Sequence, residues 1–106
     1  MGYRSRFADA RIDRLFAAIL SLQTPEECYR FFEDLCTVGE IQALAQRLQV
    51  AELLQAGTTY EDISARTGMS SATISRIKRF LQYGADGYQL VLARLAESPP
   101  SVPDGP

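Results

Sequence analysis

The sequence predicts an all-α fold of six helices, and three observations carry that prediction. Apolar residues recur at i, i+3, i+4 and i+7, the spacing of one helical face, with no competing alternation of period two. Ser, Thr or Asp stands ahead of most of these runs, where its side chain can accept from the free amides of a first turn. Glycine follows the third, fourth and fifth runs as Gly57, Gly68 and Gly84, the residue that most easily leaves a helix.

The first helix is predicted over about 9–22, with Ile12, Leu15, Phe16, Ile19 and Leu20 as its apolar stripe. Thr24-Pro25-Glu26-Glu27 opens the second. Thr24 is the cap, Pro25 the first helical residue, and Glu27 the return half of a capping box. Its apolar side is Cys28, Phe31, Phe32, Leu35 and Cys36, a stripe wide enough for burial on two sides. Thr37-Val38-Gly39-Glu40 reads as a second capping box and starts a long third helix, about 38–56. Ile41, Leu44, Ala45, Leu48, Ala51 and Leu53 or Leu54 mark its inner face. Thr59 caps a short fourth helix, 60–67, which Gly68 ends. Ser70 begins a fifth, about 71–83, with Ile74, Ile77 and Leu81 inward. Asp86-Gly87-Tyr88-Gln89 caps a sixth, about 87–96, with Tyr88, Leu92 and Leu95 inward. Connections this short mean a compact helical domain.

The chain has 106 residues and a formal net charge of −2, the size of one domain. Residues 1–8 form a basic arm, 9–97 the helical domain, and 98–106, which hold four of the five prolines, a tail without regular structure. No apolar run approaches the roughly 18 residues of a membrane span, and Met1-Gly2-Tyr3-Arg4-Ser5-Arg6 does not lead into an apolar signal core. A cytoplasmic protein with no membrane partner is expected. The sequence contains no histidine, the usual general base and commonest metal ligand. Cys28 and Cys36 stand eight apart, a spacing that suits neither a redox pair nor a zinc site. They are expected to be reduced core thiols. No glycine-rich phosphate loop occurs, so no enzyme, metal or cofactor is expected.

Charge is unevenly spread. Residues 26–62 carry Glu26, Glu27, Glu33, Asp34, Glu40, Glu52, Glu61 and Asp62 against Arg30 and Arg47. Residues 63–85 carry Arg66, Arg76, Lys78 and Arg79 and no acid. Residues 1–16 are again basic on balance. A basic face on an acidic chain fits a polyanion held by local geometry.

That face coincides with a helix-turn-helix layout over about 60–83. The turn needs a residue tolerant of positive φ, supplied by Gly68, and small residues at the crossing, supplied by Ser64 and Ala65. Ile63, Met69, Ile74 and Ile77 would form the miniature core. The outer side of the second helix is then Ser70, Ser71, Ala72, Ser75, Arg76 and Arg79, with Lys78 nearby. Short residues let the helix end enter a major groove, and the hydroxyls can address base edges. The cations can reach phosphates or guanine.

The segments Glu40-Ile41-Gln42-Ala43-Leu44-Ala45-Gln46-Arg47-Leu48-Gln49-Val50-Ala51 and Ala72-Thr73-Ile74-Ser75-Arg76, with Gly57 between them, resemble the Trp repressor family. Glu26-Glu27-Cys28-Tyr29-Arg30-Phe31-Phe32-Glu33-Asp34-Leu35-Cys36-Thr37 and Ser75-Arg76-Ile77-Lys78-Arg79 look like its YerC/YecD-type bacterial relatives. The resemblance covers about residues 12–95. It implies a six-helix fold and an intertwined homodimer in which the fourth and fifth helices form the DNA-reading head. It also implies an effector pocket on Thr37, Arg47, Thr73 and Arg76, with Arg47 and Arg76 as its walls. Ile77 and Phe80 stand where the family has glycine and serine, so the ring's space is expected to be filled and tryptophan not to bind. Arg47 is expected more as a structural ion pair, for instance with an acid of the third helix or of a partner, than as a wall of the pocket. The expected function is a homodimeric, sequence-specific DNA-binding regulator of repressor type, on a pseudo-palindromic operator. The alternative is a dimeric helical adaptor that has lost DNA binding and works through residues 26–62.

Overall fold

The computed structural model describes residues 3–97; Met1, Gly2 and the proline-rich segment 98–106 lie outside the described residues. Those residues form six α-helices and no strand: α1 (Ala10–Leu20), α2 (Pro25–Leu35), α3 (Val38–Gln55), α4 (Tyr60–Thr67), α5 (Ser71–Tyr83) and α6 (Gly87–Glu97). The chain divides into two compact units, one up to Thr37 and one from Val38 onward.

In the first unit, Asp9 caps α1 by accepting from the amides of Arg11 (2.7 Å) and Ile12 (3.2 Å). Those amides, and then the Arg11 guanidinium, hold the Asp9 carboxyl below its ordinary pKa. In the arm before it, Ser5 accepts from the amides of Phe7 and Ala8, and the Arg6 guanidinium lies 4.7 Å over the Phe7 ring. Thr24 caps α2 through the Glu27 amide at 3.1 Å. The return bond of the expected capping box closes one residue early: Glu27 accepts from the Gln23 amide, not from Thr24. Neither α1 nor α2 has a fully buried residue. Both cysteines are free, but they are not core thiols: Cys28 is exposed and Cys36 half-buried, because α2 presents that side uncovered.

In the second unit, α3 packs against α4, α5 and α6, α4 against α5, and α5 against α6. The buried core is Val50, Ala51, Ile63, Ile74, Ile77, Leu81 and Leu92, flanked by half-buried Leu48, Leu53, Leu54, Tyr60, Met69, Tyr88 and Leu95. Only the C-terminal half of α3 enters this core. Ile41, Leu44 and Ala45, expected inward, are exposed, while Val50, not anticipated, is fully buried. Eighteen residues span about 27 Å, longer than the short helices α4–α6 can cover.

Two left-handed glycines shape the head. Gly57 (φ 85°) ends α3, with its amide and that of Thr58 donating to the Leu54 and Leu53 carbonyls. Gly68 (φ 75°) ends α4 and turns the chain toward α5. The junction between α5 and α6 differs from expectation. Asp86 takes φ 67°, and the Gln89 side chain reaches back to donate to the Leu81 carbonyl at 2.9 Å. Gln89 thus serves a last-turn carbonyl of α5 and not the cap expected for α6.

Candidate nucleic-acid interface

The helix-turn-helix is built by hydrogen bonds between side chains and the turn. Thr59 accepts from the Asp62 amide and starts α4. Thr67 donates to the Ile63 carbonyl (2.7 Å) and accepts from the Met69 amide (3.2 Å). Ser64 donates to the Met69 carbonyl at 2.8 Å. Ser64 therefore fastens the turn, whereas Ala65, also expected at the crossing, is exposed. Ser70 caps α5: it accepts from the Thr73 amide at 3.2 Å and bonds the Thr73 hydroxyl at 3.1 Å. With Ile63 and Ile74 fully buried beneath, α4 and α5 are joined by a hydrogen-bonded three-residue turn.

At 100° per residue, Ile74, Ile77 and Leu81 share the inner side of α5. Ala72, Ser75, Arg76 and Arg79 then lie on the opposite side, and Ser75, Arg76 and Arg79 are exposed there. Ser71 is exposed on the flank toward α4. Lys78 occupies the same flank, with its ammonium 5.7 Å from the centre of the Tyr60 ring. Tyr60 was not singled out from the sequence; it orients Lys78. Arg76, Lys78 and Arg79 make no ion pair among the described residues. The first turn of α5 contains no acid, so its positive dipole end is uncompensated, whereas α4 carries Glu61 and Asp62 in its first turn. The arrangement is a helix end with small residues at its tip and unpaired cations behind it. It can enter a groove and hold phosphates beside it.

The residues expected around an effector differ in burial and engagement. Ile77 is 5% exposed and belongs to the buried cluster. Phe80 does not fill space beside it: it is 46% exposed, because it lies 60° around α5 from Ile77 and further from the Ile74–Leu81 line. Thr73 is half-buried and its hydroxyl is engaged by Ser70. Thr37 is exposed and hydrogen-bonded or otherwise engaged. Arg47 and Arg76 are exposed, and Arg47 pairs with no acid of this chain among the described residues.

A family model for Trp repressor protein matches residues 10–96. The chain is 59% identical over 87 residues to the uncharacterized protein YerC of Bacillus subtilis, covering 82% of this chain and 84% of that one. Among solved structures, it superposes on a candidate Trp repressor from Staphylococcus aureus with a TM-score of 0.81 and 54% identity. That match covers 86% of this chain and 91% of the other. A TrpR-like protein from Eubacterium eligens gives a TM-score of 0.80 and 51% identity, over 83% and 91% of the two chains. On this combined sequence and structural similarity the chain belongs to the Trp repressor family.

Proposed function

We propose that this chain is a sequence-specific DNA-binding transcriptional regulator of repressor type that acts as a homodimer, performs no catalysis and does not respond to tryptophan. Family membership supports the coarse reading, a DNA-binding regulator. The observation that carries the finer one is the exposed surface of α5, its outer face together with the flank toward α4, where Ser71, Ala72 and Ser75 stand toward the N-terminal end and Arg76, Lys78 and Arg79 follow without an ion pair among the described residues. The hydroxyls and small side chains address base edges, and the cations address phosphates. A two-fold dimer then reads a pseudo-palindrome with half-sites about one helical turn apart. No helix among the described residues is long and apolar enough to cross a membrane, consistent with work in the cytoplasm on genomic DNA.

The test replaces Arg76, Lys78 and Arg79 together by Ala and measures affinity for duplex DNA across a salt series. Binding should weaken on every sequence, and the log–log salt slope should flatten by about 0.9 for each phosphate that is no longer neutralised. Substituting Ser71 or Ala72 should instead change sequence preference, by about 1–3 kcal/mol per affected base pair. An unchanged slope in the triple variant rejects this face. A natural chain without any duplex affinity favours the adaptor reading, in which the exposed acids of residues 26–62 meet a protein.

A further inference from the structure

Tyr83 is the last residue of α5 and is 82% exposed. Its hydroxyl has no hydrogen-bond partner among the described residues. It stands four residues beyond Arg79 and seven beyond Arg76, so the three share the face turned away from Ile74, Ile77 and Leu81. No acid lies on the chain between Ile63 and Ala85, so the phenol sits near the end of an acid-free basic segment that Asp86 closes.

We propose that Tyr83 is a further DNA contact, its phenolic hydroxyl donating to a backbone phosphate at the rim of the groove that α5 enters. The inference rests on the DNA-reading assignment of α5. Distance along the helix selects phosphate over base. From Ser75 to Tyr83 the helix rises about 12 Å, whereas the major groove is about 8.5 Å deep. A residue that far behind the tip lies outside the groove floor. Side chains in a helix lean toward its N-terminus, so the Tyr83 hydroxyl hangs over the preceding turn, level with Arg79. Arg79 and Tyr83 then address the same stretch of sugar-phosphate backbone. Tyrosine suits this position because it donates a hydrogen bond without adding a charge.

The experiment measures duplex binding by the full chain, the Tyr83→Phe variant and the Tyr83→Lys variant. Each is titrated with a mixed-sequence duplex and a selected high-affinity duplex over a salt series, with sedimentation in parallel. Tyr83→Phe should bind both duplexes about tenfold more weakly, the loss expected for one hydrogen bond to a charged oxygen. Its salt slope should not change, because a neutral donor displaces no counterion. Tyr83→Lys should recover affinity and steepen the slope by about 0.9. Wild-type affinity in Tyr83→Phe overturns the proposal while leaving the α5 assignment standing. A loss confined to the selected duplex also overturns it, because the hydroxyl would then read bases. An altered sedimentation mass overturns it too, by placing Tyr83 in a protein interface. Failure of the unaltered chain to bind either duplex overturns the α5 assignment itself.

Discussion

Ile77 shares the inner side of α5 with Ile74 and Leu81 and is buried in one cluster with Val50 and Ala51 of α3. The space where α3 and α5 meet is therefore held by the protein's own side chain. Burying an isoleucine gives roughly 1.5–3 kcal/mol, so the head should be set without a ligand. Ile77→Ala should cost about 2–5 kcal/mol in chemical denaturation, the range for a buried large-to-small change. Calorimetry of the natural protein with L-tryptophan should show no heat at about 1 mM, and DNA affinity should not move on its addition. Binding at micromolar ligand would mean that the helices part around Ile77. At this scale the sequence was only partly legible. The inward direction of Ile77 follows from its spacing to Ile74 and Leu81. The exposure of Phe80 follows equally from its 60° offset, but its match to the family's serine beside the ligand suggested that it fills the pocket. Thr67 bonds two backbone groups of the turn, a geometry that no residue pattern announces.

Helix limits were legible because caps are local chemistry. Thr24, Thr59 and Ser70 each accept from the amide three residues on, and the elements begin directly after them. The α5–α6 junction was not legible, because its bond is not local in that sense. Gln89 reaches eight residues back to the Leu81 carbonyl, a group that the end of α5 leaves without an intrahelical donor. Gly84 is equally bound by context, since a Cβ there would collide with the Phe80 carbonyl oxygen. Gln89→Ala should lower stability by about 1 kcal/mol. The loss should be local, with faster amide exchange in the last turn of α5 and unchanged exchange in the middle of α3. Uniform acceleration over the whole chain would show that the bond supports the global fold and not this one junction.

On the scale of the molecule, the apolar pattern and the buried core part company. Phe16 and Leu35 in one unit, and Val38, Ile41, Leu44, Leu90 and Val91 in the other, carry apolar surface that the described chain leaves exposed, with Leu20 reaching 83% and Leu44 47%. The periodicity showed which side of each helix is apolar, but periodicity cannot say whether the cover belongs to the same chain. The homodimer proposed above accounts for these exposed residues, with a second copy of the chain as their cover. Interfaces of obligate dimers bury above roughly 2,000 Å² and resemble a core cut in half. Sedimentation equilibrium should therefore give twice 11.8 kDa down to about micromolar concentration or below. Leu44→Asp tests the same idea from the other side. Leu44 lies on the uncovered half of α3, outside the cluster that holds α4, α5 and α6 together. A carboxylate there would be desolvated only in a dimer. The variant should fall toward the monomer mass and lose its affinity for a two-half-site duplex, while the Met69 amide, which donates to the Thr67 hydroxyl in the turn, keeps its exchange protection. If the natural chain sediments as a folded monomer, or if Leu44→Asp still sediments as a dimer with full affinity, the exposed stripe on α3 is not where two copies meet.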